Sequence, residues 1–302
     1  MSCPTLYAHI KQYARANDRL AVWALAQTIL GQLVALLLYA LDQVAVAVIL
    51  EAGLILRAFI IFHDGIHSSY FRGRKANERL ATALQAWVIT PIDLWQRNHF
   101  LHHRWFGNID TRDRADTVFF TRQQYETFPP LKRRLARVLR DPLVFFLLAP
   151  VAQWWIQYPF VNGNRFVWLG HAVHLLIAWQ LSWWHLVAVY LGGMAGLMLF
   201  HLQHAVNRGY REPSDKWTPT EASLLGSTYL SIPPPLTWFT FGIQFHHIHH
   251  LNTAVPSYSL ARCHREAPPG MWREVTTPTL WQGLASLRNV MWDEESKQLV
   301  PF

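Results

Sequence analysis

VWALAQTILGQLVALLLYAL, from Val22 to Leu41, carries no charged side chain over the roughly 20 residues that a helix needs to cross a bilayer. Lys11, Arg15 and Arg19 precede it and no small-residue cleavage site follows, which predicts a retained helix rather than a removable signal. After the brief break at Asp42 and Gln43, VAVAVILEAGLILRAFIIF runs from Val44 to Phe62. This second run contains Glu51 and Arg57, and charges within a span face a bundle interior or mark function. Three more apolar runs follow, from Val144 to Phe160, Phe166 to Leu181 and His185 to Phe200.

The whole composition agrees with a membrane protein that keeps a large part of its chain in water. Of the 302 residues, 51% are hydrophobic and 15% charged, yet the mean hydropathy is only +0.07. The formal net charge of +8 comes from basic residues that flank apolar runs, which favours anionic lipid headgroups or an acidic protein partner over nucleic acid. Cys3 and Cys263 are too few for a disulfide framework, a zinc ribbon or an iron–sulfur cluster, and a reducing compartment is expected.

From His63 to Asp141 the chain is polar and basic, with Arg72, Arg74, Lys75 and Arg79 behind the second span and Lys132, Arg133, Arg134, Arg137 and Arg140 further on. The positive-inside rule places this region in the cytoplasm. Three clusters of histidine stand at the edges of the apolar runs: His63 and His67 in HDGIH, His99, His102 and His103 in HFLHH, and His246, His249 and His250 in HHIHH. Residues three and four apart lie on one face of a helix, so each cluster can aim its imidazoles at a common point. His247 falls off that wedge. HLQH adds His204, with His201 the weaker member, while His171, His174 and His185 suit hydrogen bonding inside the bundle, with haem ligation the alternative.

Burying so many imidazoles without a metal would demand a partner for every ring nitrogen. None of the clusters has the Glu of HExxH zinc proteases, and eight or nine histidines exceed any single centre, so two metals are expected. Nitrogen ligation suits iron, copper or zinc, of which iron and copper activate oxygen. If the late histidines are to meet the early ones, an even number of runs must cross between them. Spans are accordingly expected near 22–41, 44–62, 166–181 and 185–203, with 144–160 at the interface. The caps would be 63–142 and 204–302, with Pro233, Pro234 and Pro235 breaking any helix before HHIHH.

With these motifs in view, the chain resembles the membrane fatty-acid desaturase family, whose boxes read HxxxH, HxxHH and HxxHH, and most of all the bacterial acyl-lipid desaturases. The resemblance rests on HDGIHSSYFRGRKAN, TPIDLWQRNHFLHHRWFGNIDTRDRAD, HLQH and GIQFHHIHHLNTAVPSYSLARCH, and covers Phe59 to His264. It implies a single all-α, polytopic membrane bundle of about four transmembrane helices in a bacterial inner membrane, capped by a cytosolic di-iron site. The implied ligands are His63, His67, His99, His102, His103, His204, His246, His249 and His250. The family commonly reads HDCGHGSFF where this chain has HDGIHSSYF, so Gly65, Ile66 and Ser68 are expected to alter the local backbone or substrate fit.

The implied reaction is O2-dependent desaturation of a lipid or fatty-acyl chain, since an unactivated methylene needs an oxidant made at a redox metal. Asp64, Asp110 and Asp116 are the nearest candidates to orient the imidazoles, with helix capping or pairing to Arg104, Arg112 or Arg114 the competing roles. The chain has no HPGG, no GxGxxG and no cysteine cluster, so electrons must come from a separate donor such as a ferredoxin. A hydroxylase, ketolase or alkane monooxygenase would use the same boxes. A non-catalytic metal or haem binder would instead place its ligands near the bilayer midplane, and the main boxes here lie outside the apolar runs.

Overall fold

A computed structural model of the chain describes residues 3–111, 120–161, 164–206 and 209–302. After α1 (Cys3–Lys11), the first apolar run lies within α2 (Asp18–Ala40), whose N-terminus is capped by the Asn17 side chain accepting from the amides of Arg19 and Leu20. α2 turns Leu30, Leu33 and Leu37 outward and packs Ala21, Ala24, Thr28 and Ala35 inward. That is the arrangement of a helix with lipid on one side and a close neighbour on the other.

The neighbour is α3 (Val44–Ile66), the most enclosed of the four long apolar helices among the described residues. Its two charges face the interior. Glu51 meets His185 and Gln32, while Arg57 donates to Thr28 Oγ1 (2.9 Å) and to the carbonyl of Trp238. The guanidinium also lies between the rings of Trp238 and Phe241, 4.1 and 4.2 Å from their centroids, so its charge is met by two π-faces as well as by oxygens.

α4 (Arg74–Trp87) packs on α3, and α5 (Ile92–Trp105) follows. Beyond them come α6 (Pro130–Arg140), α7 (Pro142–Pro150) with π-helical turns over Val151–Val161, α8 (Arg165–Gln180) and α9 (Trp184–His204). α9 crosses α3 at Gly192, where a Cβ would stand 2.7 Å from the Cβ of Ile55 and 2.8 Å from the carbonyl oxygen of Ala52.

Among the described residues, Asp18–Ala40, Val44–Ile66, Pro142–Phe160 and Trp184–His204 are long and apolar enough to cross a membrane. The third of these covers the stretch expected at the interface. α8 (Arg165–Gln180), which holds most of the 166–181 run expected to span, has 16 residues, short of the roughly 20 that a straight crossing takes.

The C-terminal part contributes α10 (Pro234–Thr240), α11 (His246–Leu251) and α12 (Ser257–Arg265). Here the expectation that Pro233, Pro234 and Pro235 exclude a helix is corrected: α10 starts at Pro234, because proline at the first helical position forfeits only an amide that has no intrahelical partner anyway. The sequence reading also did not foresee a small sheet in which Met291–Asp293 pairs in parallel with Phe120–Thr121 and antiparallel with Gln298–Val300. The main core fills the space below the histidine-bearing helix ends, with Ile61, Leu202, Leu230, Ile248 and Leu260 all fully enclosed.

Gly192→Val should therefore wedge α3 from α9. Overpacking of this kind costs about 1–3 kcal/mol, and thermal unfolding of the purified variant in detergent, compared with the parent, is expected to show a lowered midpoint.

Candidate metal centre

The helices deliver their imidazoles to one place. His63 sits in the last turn of α3 and His67 caps that helix; α5 carries His99, His102 and His103; α9 ends on His204; and α11 carries His246, His249 and His250. They fall into two groups, each of which could hold a metal ion. One comprises His63, His67, His99, His103 and His249, and the other His102, His204, His246 and His250.

The division follows from helix geometry. Positions i and i+4 point almost the same way, so His63 with His67, His99 with His103, and His246 with His250 each serve one group. Position i+3 is rotated by about 100° from i+4, so His102 and His249 turn to the opposite group. An HxxHH box on a helix is thus a device for feeding two centres from one segment.

Within the groups the Nε2 atoms converge. His99 lies 2.9 Å from His67 and 3.0 Å from His103, which is 3.0 Å from His249. In the other group His204 lies 3.1 Å from His102 and 2.9 Å from His246, which is 3.1 Å from His250. Ligands at right angles around a metal with bonds of about 2.1 Å have edges of about 3.0 Å, which matches these separations. Burial, reinforced by the neighbouring imidazoles, pushes the His99, His103, His249 and His250 side chains well below the ordinary histidine range. They are therefore neutral, with lone pairs available to a cation.

The second ring nitrogens give a further test of fit. His204 Nδ1 stands 3.4 Å from the carbonyl of Gly226, so it carries the proton and leaves Nε2 free to ligate. His63 Nδ1 faces Asp64 Oδ1 at 3.3 Å. That carboxylate is itself held by the hydroxyl and amide of Ser257, both at 2.7 Å. Of the expected orienting residues, Asp64 is thus in contact with a ligand, whereas Asp110 is exposed and accepts the Ser214 amide at 2.9 Å. Asp116, with Arg112 and Arg114, lies outside the described residues.

The histidines set apart in the sequence stand apart here. His247 meets His264 Nδ1 at 3.3 Å, and burial with that neighbour pushes it down to about 3. His201 packs against Phe146 and belongs to neither group. His171 bonds the carbonyls of Val167 and Trp154, and His174 and His185 bond each other, so all three make hydrogen bonds within the bundle. Ser68, one of the three departures from the family pattern, has a φ of 56°. Glycine adopts that conformation freely, whereas a residue with a Cβ gives up about 1 kcal/mol.

Two walls of the centre escaped the sequence reading. Trp95 stacks on His99, with centroids 4.3 Å apart, and Phe106 packs on His204 at 4.2 Å. Both lie one helical turn from a box histidine, Trp95 before His99 and Phe106 after His102, and an aromatic at that offset is the signal that would have found them. Between α3, α9 and the π-helical turns, a cavity of about 510 Å³ reaches His63, His99, His102 and His246 and is walled largely by apolar side chains.

A family model for the fatty acid desaturase matches residues 42–279. The chain is 32% identical over 275 residues to the fatty acid desaturase of Bacillus subtilis (strain 168), covering 84% of this chain and 76% of that protein. It is 25% identical over 231 residues to the sn-1 oleoyl-lipid 12-desaturase of Synechocystis sp., covering 68% and 63% of the two chains. With the chloroplastic omega-6 fatty acid desaturase of Arabidopsis thaliana the identity is 22% over 248 residues, and this chain spans about half of that longer protein (52%).

Asp64→Asn removes the charge that orients His63. Loss of such an outer partner costs metal affinity about 10–100-fold, and competition against a chelator, with bound metal quantified by mass spectrometry, should report a shift of that order. Ser257→Ala keeps the carboxylate and should shift it less.

Proposed function

This chain belongs to the fatty acid desaturase family and is an oxidoreductase of that class, and from that premise we propose that it inserts a double bond into the acyl chain of a membrane lipid. The observation that carries this reading is the junction of the two imidazole groups with the apolar cavity. Two irons would be held by His63, His67, His99, His103 and His249 on one side and by His102, His204, His246 and His250 on the other. Once bound, they supply the oxidising power, drawn from O2, that no side chain provides.

The protein's own part is placement and exclusion. The cavity runs along α3 and α9 inside the bundle, so an acyl chain enters it from the bilayer while the lipid headgroup stays at the surface. Trp95 and Phe106 wall the imidazoles off from water, which keeps the site dry and its ring nitrogens unprotonated. Asp64 holds the His63 ring in orientation, and the Gly226 carbonyl does the same for His204. Holding two adjacent methylenes against a fixed centre makes the reaction effectively intramolecular.

The ends of α3 and α9 meet at the centre, so residues Pro142–Gln180 together make one net crossing. The basic residues of the cap favour the cytoplasmic side, and the Bacillus relative supports a bacterial membrane. Electrons would come from a separate acidic carrier of the ferredoxin kind, docking on exposed arginines of the cap such as Arg97 and Arg104.

Expression in a host with a simple saturated and monounsaturated lipid profile, beside a His249→Ala control, is expected to yield a new double bond by gas chromatography–mass spectrometry that the control lacks. A hydroxylated acyl chain would reassign the protein to hydroxylation. Iron-loaded protein that, given a ferredoxin and its reductase, leaves every lipid unchanged would overturn the enzymatic reading.

A further inference from the structure

At the end of the cavity away from the histidines lies a chain of buried polar groups with no part in the chemistry above. Glu51 Oε2 is 3.0 Å from His185 Nδ1, His185 Nε2 is 2.9 Å from His174 Nδ1, and His174 Nε2 is 2.9 Å from the carbonyl oxygen of Trp87. All three side chains are fully enclosed, and Gln32 donates to the remaining oxygen of Glu51.

The proton positions follow from the endpoints. A carbonyl only accepts, so His174 Nε2 carries a proton and its Nδ1, in the neutral ring, accepts from His185 Nε2. His185 Nδ1 and Glu51 then share a single proton between them. Every position of the chain is satisfied, and its far end is fixed to the last residue of α4. His174 also packs its ring on the Trp87 indole, with centroids 4.8 Å apart.

Directly after Trp87, α4 closes with an amide of Thr90 bonded to the Gln85 carbonyl (2.9 Å) and an amide of Ile89 bonded to that of Ala86 (3.3 Å). This is the helix ending in which the residue at Ile89 takes a left-handed conformation, usually as glycine. Ile89 has a φ of 45°, an outlier for a β-branched side chain. It is almost completely buried, packed with Ile55, Val189 and Tyr158, and all four line the cavity. Ile55 and Val189 stand one helical turn from Glu51 and His185 respectively, so the polar chain lies immediately beneath the cavity's apolar end.

We propose that Ile89 and Trp87, held by the Glu51–His185–His174 chain, form the end wall against which the methyl terminus of the acyl chain stops, and so set which carbons face the metal centre. The strained isoleucine then has a reason: its side chain fills the volume that a glycine would leave open to the substrate. Along α3 the wall at Ile55 is eight residues from His63, or about 12 Å, a fixed depth measured from the methyl end. Glu51, His185 and His174 are positioning residues. They touch no substrate and act by holding Trp87 and by placing polar groups where an alkyl terminus is not tolerated.

This inference rests on the acyl-desaturation reading, and the test separates the two. Host cells fed palmitoyl and stearoyl precursors would express the parent chain and Ile89→Gly, with the double bond located by mass spectrometry. In the parent it should fall at a constant count from the methyl end on both chains. In Ile89→Gly the terminus sinks deeper, so the double bond should move away from the methyl end, or the preferred substrate lengthen, by about two carbons. His174→Gln should scatter the position over neighbouring carbons, which a loss of folded protein alone does not do. A parent that counts from the carboxyl end, or an Ile89→Gly product identical to the parent's, overturns the end-wall assignment. If the parent makes no double bond even as iron-loaded protein given a ferredoxin and its reductase, the desaturase reading fails and a second measurement decides the wall. Thermal stabilisation of each protein across a series of saturated acyl lengths should peak at longer chains for Ile89→Gly, and coincident peaks overturn it.

Discussion

Nine imidazoles gathered around two points, with neighbouring Nε2 atoms about 3 Å apart and the ligand atoms of each group within 4.8 Å of one another, impose the condition on which the rest of this structure depends. Lone pairs held at that separation repel one another, and protonating them would bury several charges together. A cation at each point relieves both difficulties. Four helix ends from distant parts of the chain must then be brought to the same level. This explains why α3 and α9 end at the same centre and why α5 and α11 bring their boxes to it. The flank of α11 is secured by the Asp64–Ser257 contact, which ties the ligand-bearing end of α3 to the start of α12.

The bundle manages its other charges by a different rule. Arg57 has no carboxylate within reach among the described residues, and is enclosed by two aromatic faces, a hydroxyl and a carbonyl. Glu51 instead heads a chain of imidazoles that ends on a backbone oxygen. In both cases a charged residue that would be prohibitive against lipid connects helices to one another, which is why α3 can carry two of them and remain the central span.

The histidine positions were legible because metal ligation demands one residue type at helical spacing, a pattern that few other pressures produce. That the histidines exceed one ligand set was legible for the same reason, while their sorting into two groups needed the helical rotation between i+3 and i+4 to be set against real helices. Asp64 could be picked as adjacent to His63, but its anchor, Ser257, is 193 positions away and nothing local announces it. Ile89 was invisible in another way. Isoleucine in an apolar stretch reads as ordinary core, and only the backbone angle shows that it occupies a glycine's place. The π-helical turns at Val151–Val161 looked like any apolar run, since periodicity distinguishes poorly between a span and a winding segment lining a cavity. The prolines before HHIHH were misread because their effect depends on whether they fall inside a helix or at its first turn.

Both imidazole groups take ligands from α11, so neither centre is complete until position 250 has been synthesised and folded back. By then α2, α3 and α9 have left the ribosome. A chain translated only as far as α9 carries incomplete sets of histidines. A chain that stops before HHIHH lacks His249 from one group and His246 and His250 from the other.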